Sequence, residues 1–154
     1  MNELGIKLCD IQGRLFELSV RKGLDSAVFI DCFMRSKVAA CLDSTYNRMQ
    51  WAGEEYLLEE LMSECADRLM SSENVFDKDE MYWIGYLYRY WSISQNERSA
   101  EIYRQARTQV MRRNYLMFHT LDPELAVENL KEIHRQRKRH TVRRIPGLSS
   151  RATK

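Results

Sequence analysis

The first 122 residues of the chain contain no proline, and the full sequence of 154 residues holds only six glycines. Proline and glycine are frequent in the turns between short β-strands, so their scarcity argues against a fold of many short strands. Apolar residues recur at helical spacing instead, as in the predicted first helix over residues 4–21, where one face carries Leu4, Leu8, Ile11, Leu15 and Leu18. Gly23 is suited to end this helix. The sequence therefore predicts an all-α fold.

Helix caps divide the chain into six to seven predicted helices, which we expect to form a compact single-domain bundle. The second begins at Asp25 or Ser26, and Ser36 is suited to end one short helix and cap the next. After a polar stretch without helical period at 43–51, a third helix is predicted from about Gly53 to Met70. Its expected apolar stripe is Tyr56, Leu57, Leu58, Leu61, Met62, Cys65 and Leu69.

The last predicted helix has the clearest start. Asp122 is its expected N-cap, and Pro123 occupies the first helical position, where no N–H is needed. Its predicted buried side is Leu125, Ala126, Leu130 and Ile133. The apolar period stops at His134. We therefore expect a helical domain over residues 1–133 and a flexible, partly disordered basic tail over 134–154.

The stretch MYWIGYLYRYW, residues 81–91, contains six aromatic residues and a single charge, Arg89. Its helix is predicted to start with Asp77 as N-cap, and Glu80 completes a capping-box-like pattern. Nearly every face of this predicted helix carries apolar residues, which is typical of a helix buried in the middle of a bundle. The stretch is too short to span a membrane. It is predicted to be the central helix, with a few tyrosines and Arg89 at the surface.

The charges are unevenly distributed along the chain. Residues 1–80 carry nine Lys/Arg and 16 Asp/Glu, a net charge of −7, whereas residues 131–154 carry nine and one, a net charge of +8. The N-terminus lacks the apolar run of a signal peptide, and no stretch reaches the roughly 18 apolar residues of a membrane span. We therefore expect a cytoplasmic protein with an acidic body, a basic tail and no membrane contact.

Motifs of catalysis or cofactor binding are not found. The sequence lacks the glycine-rich phosphate loops, the nucleophile elbow G-x-S-x-G and the zinc motif H-E-x-x-H. Four separate cysteines suggest free thiols, and five glutamates of the third helix suggest a solvated or partner-facing surface. We expect no enzyme activity, no small-molecule substrate, and no catalytic, cofactor-binding or metal-binding residues.

The basic tail is a candidate for nucleic-acid binding, because clustered Lys and Arg neutralise phosphates. The candidate residues are Arg135, Arg137, Lys138, Arg139, Arg143 and Arg144. A helix-turn-helix over about residues 79–107 is a second possible DNA-binding element, although the usual turn glycine is absent. Terminal basic runs also dock on acidic proteins or only increase solubility, and the sequence leaves these alternatives open.

Three motifs occur in order, LDSTYNRMQWAGEEYLLEEL at 42–61, DEMYWIGYLYRYWSISQNERSAEIY at 79–103 and FHTLDPELAVENL at 118–130. Together they resemble a family of small bacterial proteins of the gut Firmicutes, over about residues 5–133. The characteristic positions of that family would be Trp51, Gly53, Glu54, Glu55, Trp83, Gly85, Tyr86, Arg89, Tyr90, Trp91, His119, Thr120, Leu121 and Asp122.

The family that the chain resembles is encoded beside toxin-like proteins, including some with an ADP-ribosyltransferase-like fold. The resemblance implies an antitoxin or immunity-type protein that binds a partner toxin and blocks it, without catalytic residues of its own. The alternative is a DNA-binding regulator that uses helices 79–107 and the basic tail. Our candidates for partner binding are Trp51, Glu54, Glu55, Tyr82, Tyr86, Arg89, Tyr90, His119 and Asp122.

Overall fold

A computed structural model describes residues 1–44 and 48–144 of the chain. Within these residues the fold is all-α and forms a single compact domain, as predicted. It contains more helices than the six to seven expected, together with one 3-10 helix at Arg48–Trp51. The α-helices are α1 (Glu3–Arg21), α2 (Ser26–Met34), α3 (Lys37–Asp43), α4 (Glu54–Glu64), α5 (Lys78–Gln95), α6 (Ser99–Gln105), α7 (Thr108–Phe118) and α8 (Pro123–Arg144).

Several helix ends lie where the capping residues predicted them. The side chain of Asp25 accepts a hydrogen bond from the Val28 N–H and caps α2. The Ser36 hydroxyl accepts from the Ala39 N–H at 3.0 Å and caps α3. Gly23 follows α1 with a φ of 71°, a left-handed conformation that glycine adopts without steric cost. These local signals therefore mark the end of α1 and the starts of α2 and α3.

Helix α5 is the central helix of the bundle, as its apolar pattern predicted. It packs most extensively against α1 and also contacts α6, α7 and α8. Its fully buried apolar side chains are Met81, Ile84, Leu87, Tyr88 and Trp91. An aromatic cluster extends this core, with Phe16 of α1 edge to face with both Phe29 and Phe33 of α2.

Two glycines allow α1 and α5 to approach closely. A Cβ atom on Gly85 would lie 2.7 Å from the Gln12 carbonyl oxygen and from the Phe16 ring, and one on Gly13 would lie 2.7 Å from the Tyr82 ring. The Gln12 side chain donates to the Gly85 carbonyl oxygen at 2.9 Å. The glycines thus permit a close contact that a larger residue would push apart.

The predicted third helix is wrong at its C-terminal end, because α4 stops at Glu64 rather than Met70. The chain beyond it runs beside the start of α2, where the Asp25 N–H donates to the Met70 carbonyl and the Phe76 N–H donates to the Ser26 hydroxyl. Tertiary hydrogen bonds therefore replace the helical ones in this segment. Tyr56 and Met62 of the predicted stripe are exposed, while Leu69 is buried.

Helix α8 starts at Pro123 as predicted, but it continues past His134 to Arg144. The described side chains from Arg135 onward are exposed, so no apolar period marks this part of the helix. Arginine, lysine and glutamine are good helix formers, which lets an exposed segment extend a helix anchored elsewhere. Residues 145–154 of the predicted tail lie outside the described residues.

The buried side of α8 also differs from the prediction. Leu125 is 45% exposed, whereas Ala126, Val127 and Leu130 are fully buried. The helical period explains the difference, because Val127 lies three positions before Leu130 and shares its face, whereas Leu125 lies five positions before it and does not.

Candidate partner-binding site

Arg89, predicted to reach the surface as a partner-binding residue, is instead buried with 1% of its area exposed. Its guanidinium Nη1 donates to Asp43 Oδ1 at 2.7 Å, and Nε donates to Gln12 Oε1 at 2.7 Å. Burial lowers the pKa of Arg89, and the Asp43 carboxylate acts in the opposite direction. The predicted surface position of Arg89 is wrong, because Asp43, 46 positions earlier in the chain, neutralises its charge in the interior.

Asp43 joins three helices around this arginine. It lies at the end of α3, and its Oδ2 accepts from the backbone N–H of Ser99 in the first turn of α6 at 2.9 Å. Its Oδ1 accepts from the hydroxyls of Ser99 and Ser92. No polar side-chain atom that is buried among the described residues lacks a hydrogen-bond partner. The network around Arg89 is thus a satisfied structural connection among α1, α3, α5 and α6.

An open groove with a volume of about 380 Å³ lies among α5, α7 and the start of α8. We call it the aromatic groove. Its lining residues are Asp79, Tyr82, Trp83, Tyr86, Leu87, Tyr115, His119, Leu121 and Pro123. Three of the predicted partner-binding residues, Tyr82, Tyr86 and His119, are therefore brought together, and Asp122 lies between two residues that line the groove.

The rings of the aromatic groove hold one another in place. Trp83 and Tyr115 meet edge to face with ring centroids 5.5 Å apart, and Tyr115 stacks on His119 at 4.6 Å. His119 Nδ1 lies 2.8 Å from the Tyr115 carbonyl oxygen. On the other wall, the Tyr82 hydroxyl donates to Asp10 Oδ1 of α1. The aromatic surface is therefore formed before any partner binds.

The electrostatic environment of this groove is acidic. The pKa of Tyr115 is raised, first by partial burial and then by the carboxylates of Asp77, Asp79 and Glu80. Partial burial also raises the pKa of Tyr82, followed by its hydrogen bond to the Asp10 carboxylate. Among the described residues, no lysine or arginine lines the groove. The site thus combines aromatic faces with nearby carboxylates, of which Asp79 lines the groove and Glu80 is paired with Arg112.

The other predicted partner-binding residues are not part of this groove. Trp51 is 78% exposed at the end of the 3-10 helix. Glu54 and Glu55 start α4 and line a shallow depression beside Arg14 and Arg21 of α1. Tyr90 is half-buried and is not a lining residue of the groove. The structure therefore brings together three of the nine predicted residues, Tyr82, Tyr86 and His119, with Asp122 next to them in the chain.

A second groove, with a volume of about 520 Å³, lies between α6–α7 and the C-terminal half of α8. We call it the basic groove. Its cationic lining residues are Arg104, Arg107, Arg113, Arg137 and Lys138. Of the predicted nucleic-acid-binding residues, Arg137 and Lys138 lie in it. Arg135 pairs with Glu132, Arg139 is exposed outside the groove, and the side chains of Arg143 and Arg144 are outside the described atoms.

The predicted helix-turn-helix corresponds to α5 and α6. They are joined through Asn96, which adopts a left-handed φ of 52° in place of the usual glycine. Helix α6 has seven residues, of which Ser99, Ile102 and Tyr103 are buried. Arg104 is its exposed cation and belongs to the basic groove.

Trp83, Tyr115 and Arg113 are among the lining residues that the predicted site sets did not contain. For Tyr115 a signal was available, because it lies four positions before His119 and therefore on the same face of a helix. For Arg113 no local pattern distinguishes a groove residue from any other exposed arginine. The pairing of Asp43 with Arg89 could likewise not be predicted, because the two residues lie 46 positions apart in the sequence.

The described part of the chain is an all-α bundle with two chemically opposite surface grooves. No helix in it is long and apolar enough to cross a membrane. Within residues 1–44 and 48–144, no group of three His, Cys, Asp or Glu side chains forms a potential metal site. Comparison of the chain with protein-family models, curated proteins and solved structures found no match.

Proposed function

We propose that this chain is a cytoplasmic, non-enzymatic binding protein of the antitoxin or immunity type, which neutralises a partner protein by covering its functional surface. The observation that carries the proposal is the aromatic groove, where Trp83, Tyr115 and His119 form a preorganised surface. Tryptophan and tyrosine are the residues most often found at the energetic centre of protein interfaces. A rigid aromatic site also loses little conformational entropy on binding.

The proposed occupant is a segment of the partner that carries an apolar side chain next to a lysine or arginine. The apolar group would fill the space between Trp83 and Tyr86, and the cation would lie over an aromatic ring near Asp79. The acidic surroundings of Tyr115 favour a positive charge at this position. Glu54 and Glu55 extend the acidic character of the molecule and are proposed as a peripheral contact for the same basic partner.

The alternative, a DNA-binding regulator that reads bases with α5 and α6, stays a prediction. No specific contact favours it, because α6 is short and turns Ser99, Ile102 and Tyr103 inward. A recognition helix needs several adjacent exposed side chains to reach the base edges of a major groove.

The proposal is tested by expressing the product of the adjacent gene with and without this chain in the same bacterial host. We expect the neighbour alone to inhibit growth and co-expression to restore it, with the two proteins purifying as a complex. The matched variant replaces Tyr115 by Ala, and its control replaces the neighbouring exposed Leu116 by Ala. Normal growth with the neighbour alone, together with the lack of a complex, would refute the proposal.

A further inference from the structure

The basic groove has two walls that come from distant parts of the sequence. Arg104, Arg107 and Arg113 belong to the α6–α7 wall, and Arg137 and Lys138 belong to α8. Among the described residues that line the groove, none is an aspartate or glutamate. Five cations therefore face one concave space without a carboxylate among them, which concentrates positive potential there.

The five groove cations also form no ion pair with a carboxylate of the described residues. Each of the eight ion pairs among the described residues uses a cation outside the basic groove, namely Arg14, Arg21, Arg35, Arg68, Arg89, Arg112, Lys131 and Arg135. Within the groove, Arg107 contacts the face of the Tyr103 ring, 5.7 Å from its centroid. The guanidinium and ammonium groups of the groove are therefore free of carboxylates and can bind an anion from outside the chain.

The environment of His134, which also lines the groove, shows the same concentration of positive charge. Its pKa is lowered, first by burial and then by the charges of Lys138 and Arg137. Of the polar lining residues, Gln109 and Thr141 can donate to anionic oxygens, whereas Gln105 donates its side-chain amide to Glu97 and to the Glu101 carbonyl. Only Val110 and Val142 are apolar, so the groove lacks the aromatic anchors that a protein partner uses.

We propose that the basic groove binds the phosphodiester backbone of a nucleic acid, independently of base sequence, and that α6, α7 and the C-terminal half of α8 form this site together. Arginine suits this ligand because its planar guanidinium can donate two hydrogen bonds to one phosphate. The site goes beyond the proposed partner-binding function, since the basic and aromatic grooves share no lining residue. It also differs from a flexible tail, because α8 holds its cations opposite the α7 wall.

The test is fluorescence anisotropy of the full-length protein with a labelled random-sequence duplex and a single strand of equal length. Wild-type binding is expected to weaken steeply with salt, with a slope of log K on log salt of about −3 to −4 for the duplex, since up to five cations release counterions. Scrambling the duplex sequence should leave affinity unchanged. Absence of binding to either nucleic acid at about 50 mM salt overturns the proposal.

Two double variants each remove two cations from one wall. Arg104→Gln with Arg113→Gln changes the α6–α7 wall, and Arg137→Gln with Lys138→Gln changes α8. All four side chains are exposed, so folding should be retained, as circular dichroism would verify. Each variant should lose about 10-fold or more in affinity and flatten the salt slope by about two. The control, Lys7→Gln with Lys37→Gln, changes net charge equally on exposed residues outside the groove and should lose less than about 3-fold.

Equal losses in the control and the wall variants would show that net charge alone drives binding and would overturn the site. Loss only in the α8 variant would also overturn it, because a basic helix then suffices without the α7 wall. Displacement of the nucleic acid by poly-glutamate at equal charge concentration would identify an acidic protein as the better ligand and would likewise contradict the proposal.

Discussion

Trp83 of α5 and Tyr115 of α7 meet edge to face with their ring centroids 5.5 Å apart. The contact fixes one wall of the aromatic groove against the central helix, and the stack of Tyr115 on His119 extends it toward the start of α8. Such aromatic pairs contribute about 0.5–1.5 kcal/mol beyond the area that they bury. The groove is therefore a stable feature of the bundle rather than a gap between loose side chains.

The buried ion pair of Arg89 and Asp43 is predicted to be essential for stability. Replacing Arg89 by Met leaves the Asp43 carboxylate without its cation in a largely buried position, so we expect a loss of about 3 kcal/mol or more in the free energy of unfolding. Denaturant unfolding of the wild type and the variant at neutral pH measures this loss of free energy. Arg104→Met is the exposed control and should change stability by less than about 0.5 kcal/mol.

A double variant separates the charge from the packing at this site. Replacing Asp43 by Asn in the Arg89→Met background removes the unpaired charge, and we expect it to recover about 1 kcal/mol. If the double variant were no more stable than Arg89→Met, the uncompensated carboxylate would not be the cause of the loss.

The close approach of α1 and α5 predicts that a larger residue at position 85, in place of Gly85, strongly lowers stability. Its substitution by Ala places a methyl group 2.7 Å from the Gln12 backbone carbonyl, which cannot move without shifting α1. We expect a destabilisation of about 1–3 kcal/mol, measured by thermal unfolding. Gly53→Ala is the control, because a Cβ there has no heavy atom within 4 Å. Equal melting temperatures of the two variants would contradict the inferred helix contact.

The free energy of unfolding should fall on acidification, because the Glu97 carboxylate becomes protonated. Burial alone would raise the pKa of Glu97, but hydrogen bonds from Gln105, Trp91 and Lys131 outweigh it, so the pKa is lowered from 4.5. The folded-state pKa of Glu97 lies below the unfolded value. The contribution of its carboxylate to the unfolding free energy is therefore fully present above pH 4.5, and it disappears as the pH falls through the lower folded-state pKa.

The comparison of wild type with Glu97→Gln isolates this contribution. The difference in unfolding free energy between the two proteins should be constant at neutral pH and should shrink as the pH falls below 4.5. A difference that does not depend on pH would show that the carboxylate charge of Glu97 plays no part in holding α5 and α8 together.

The helices of this fold follow from local sequence signals, while the sites depend on tertiary contacts. The all-round apolar pattern of residues 81–91 predicts the central helix because burial on every side requires it, and Asp77 caps α5 through its neighbours' N–H groups. The burial of Arg89 was not predictable, because an arginine within an aromatic stretch gives no sign that Asp43 will neutralise it. Glu80 likewise pairs with Arg112 instead of completing the capping box.

The extent of α8 and the basic groove were also beyond local prediction. An exposed basic helix has no apolar period, so its pattern is that of a disordered tail until the anchoring of its first half is known. Arg104 and Arg113 look like ordinary surface residues in the sequence, and only the packing of α6, α7 and α8 brings them opposite Arg137 and Lys138.

The central claim, that the aromatic groove is the partner-binding surface, is tested most directly by calorimetry with the purified product of the adjacent gene. We expect Tyr115→Ala to weaken binding by about 30-fold, which corresponds to about 2 kcal/mol for an interface hot spot, with unfolding checked separately. Leu116→Ala, a change at an exposed residue on the same helix, should alter affinity by less than about 2-fold. Wild-type affinity in the Tyr115 variant, or an equal loss in both, would contradict the account.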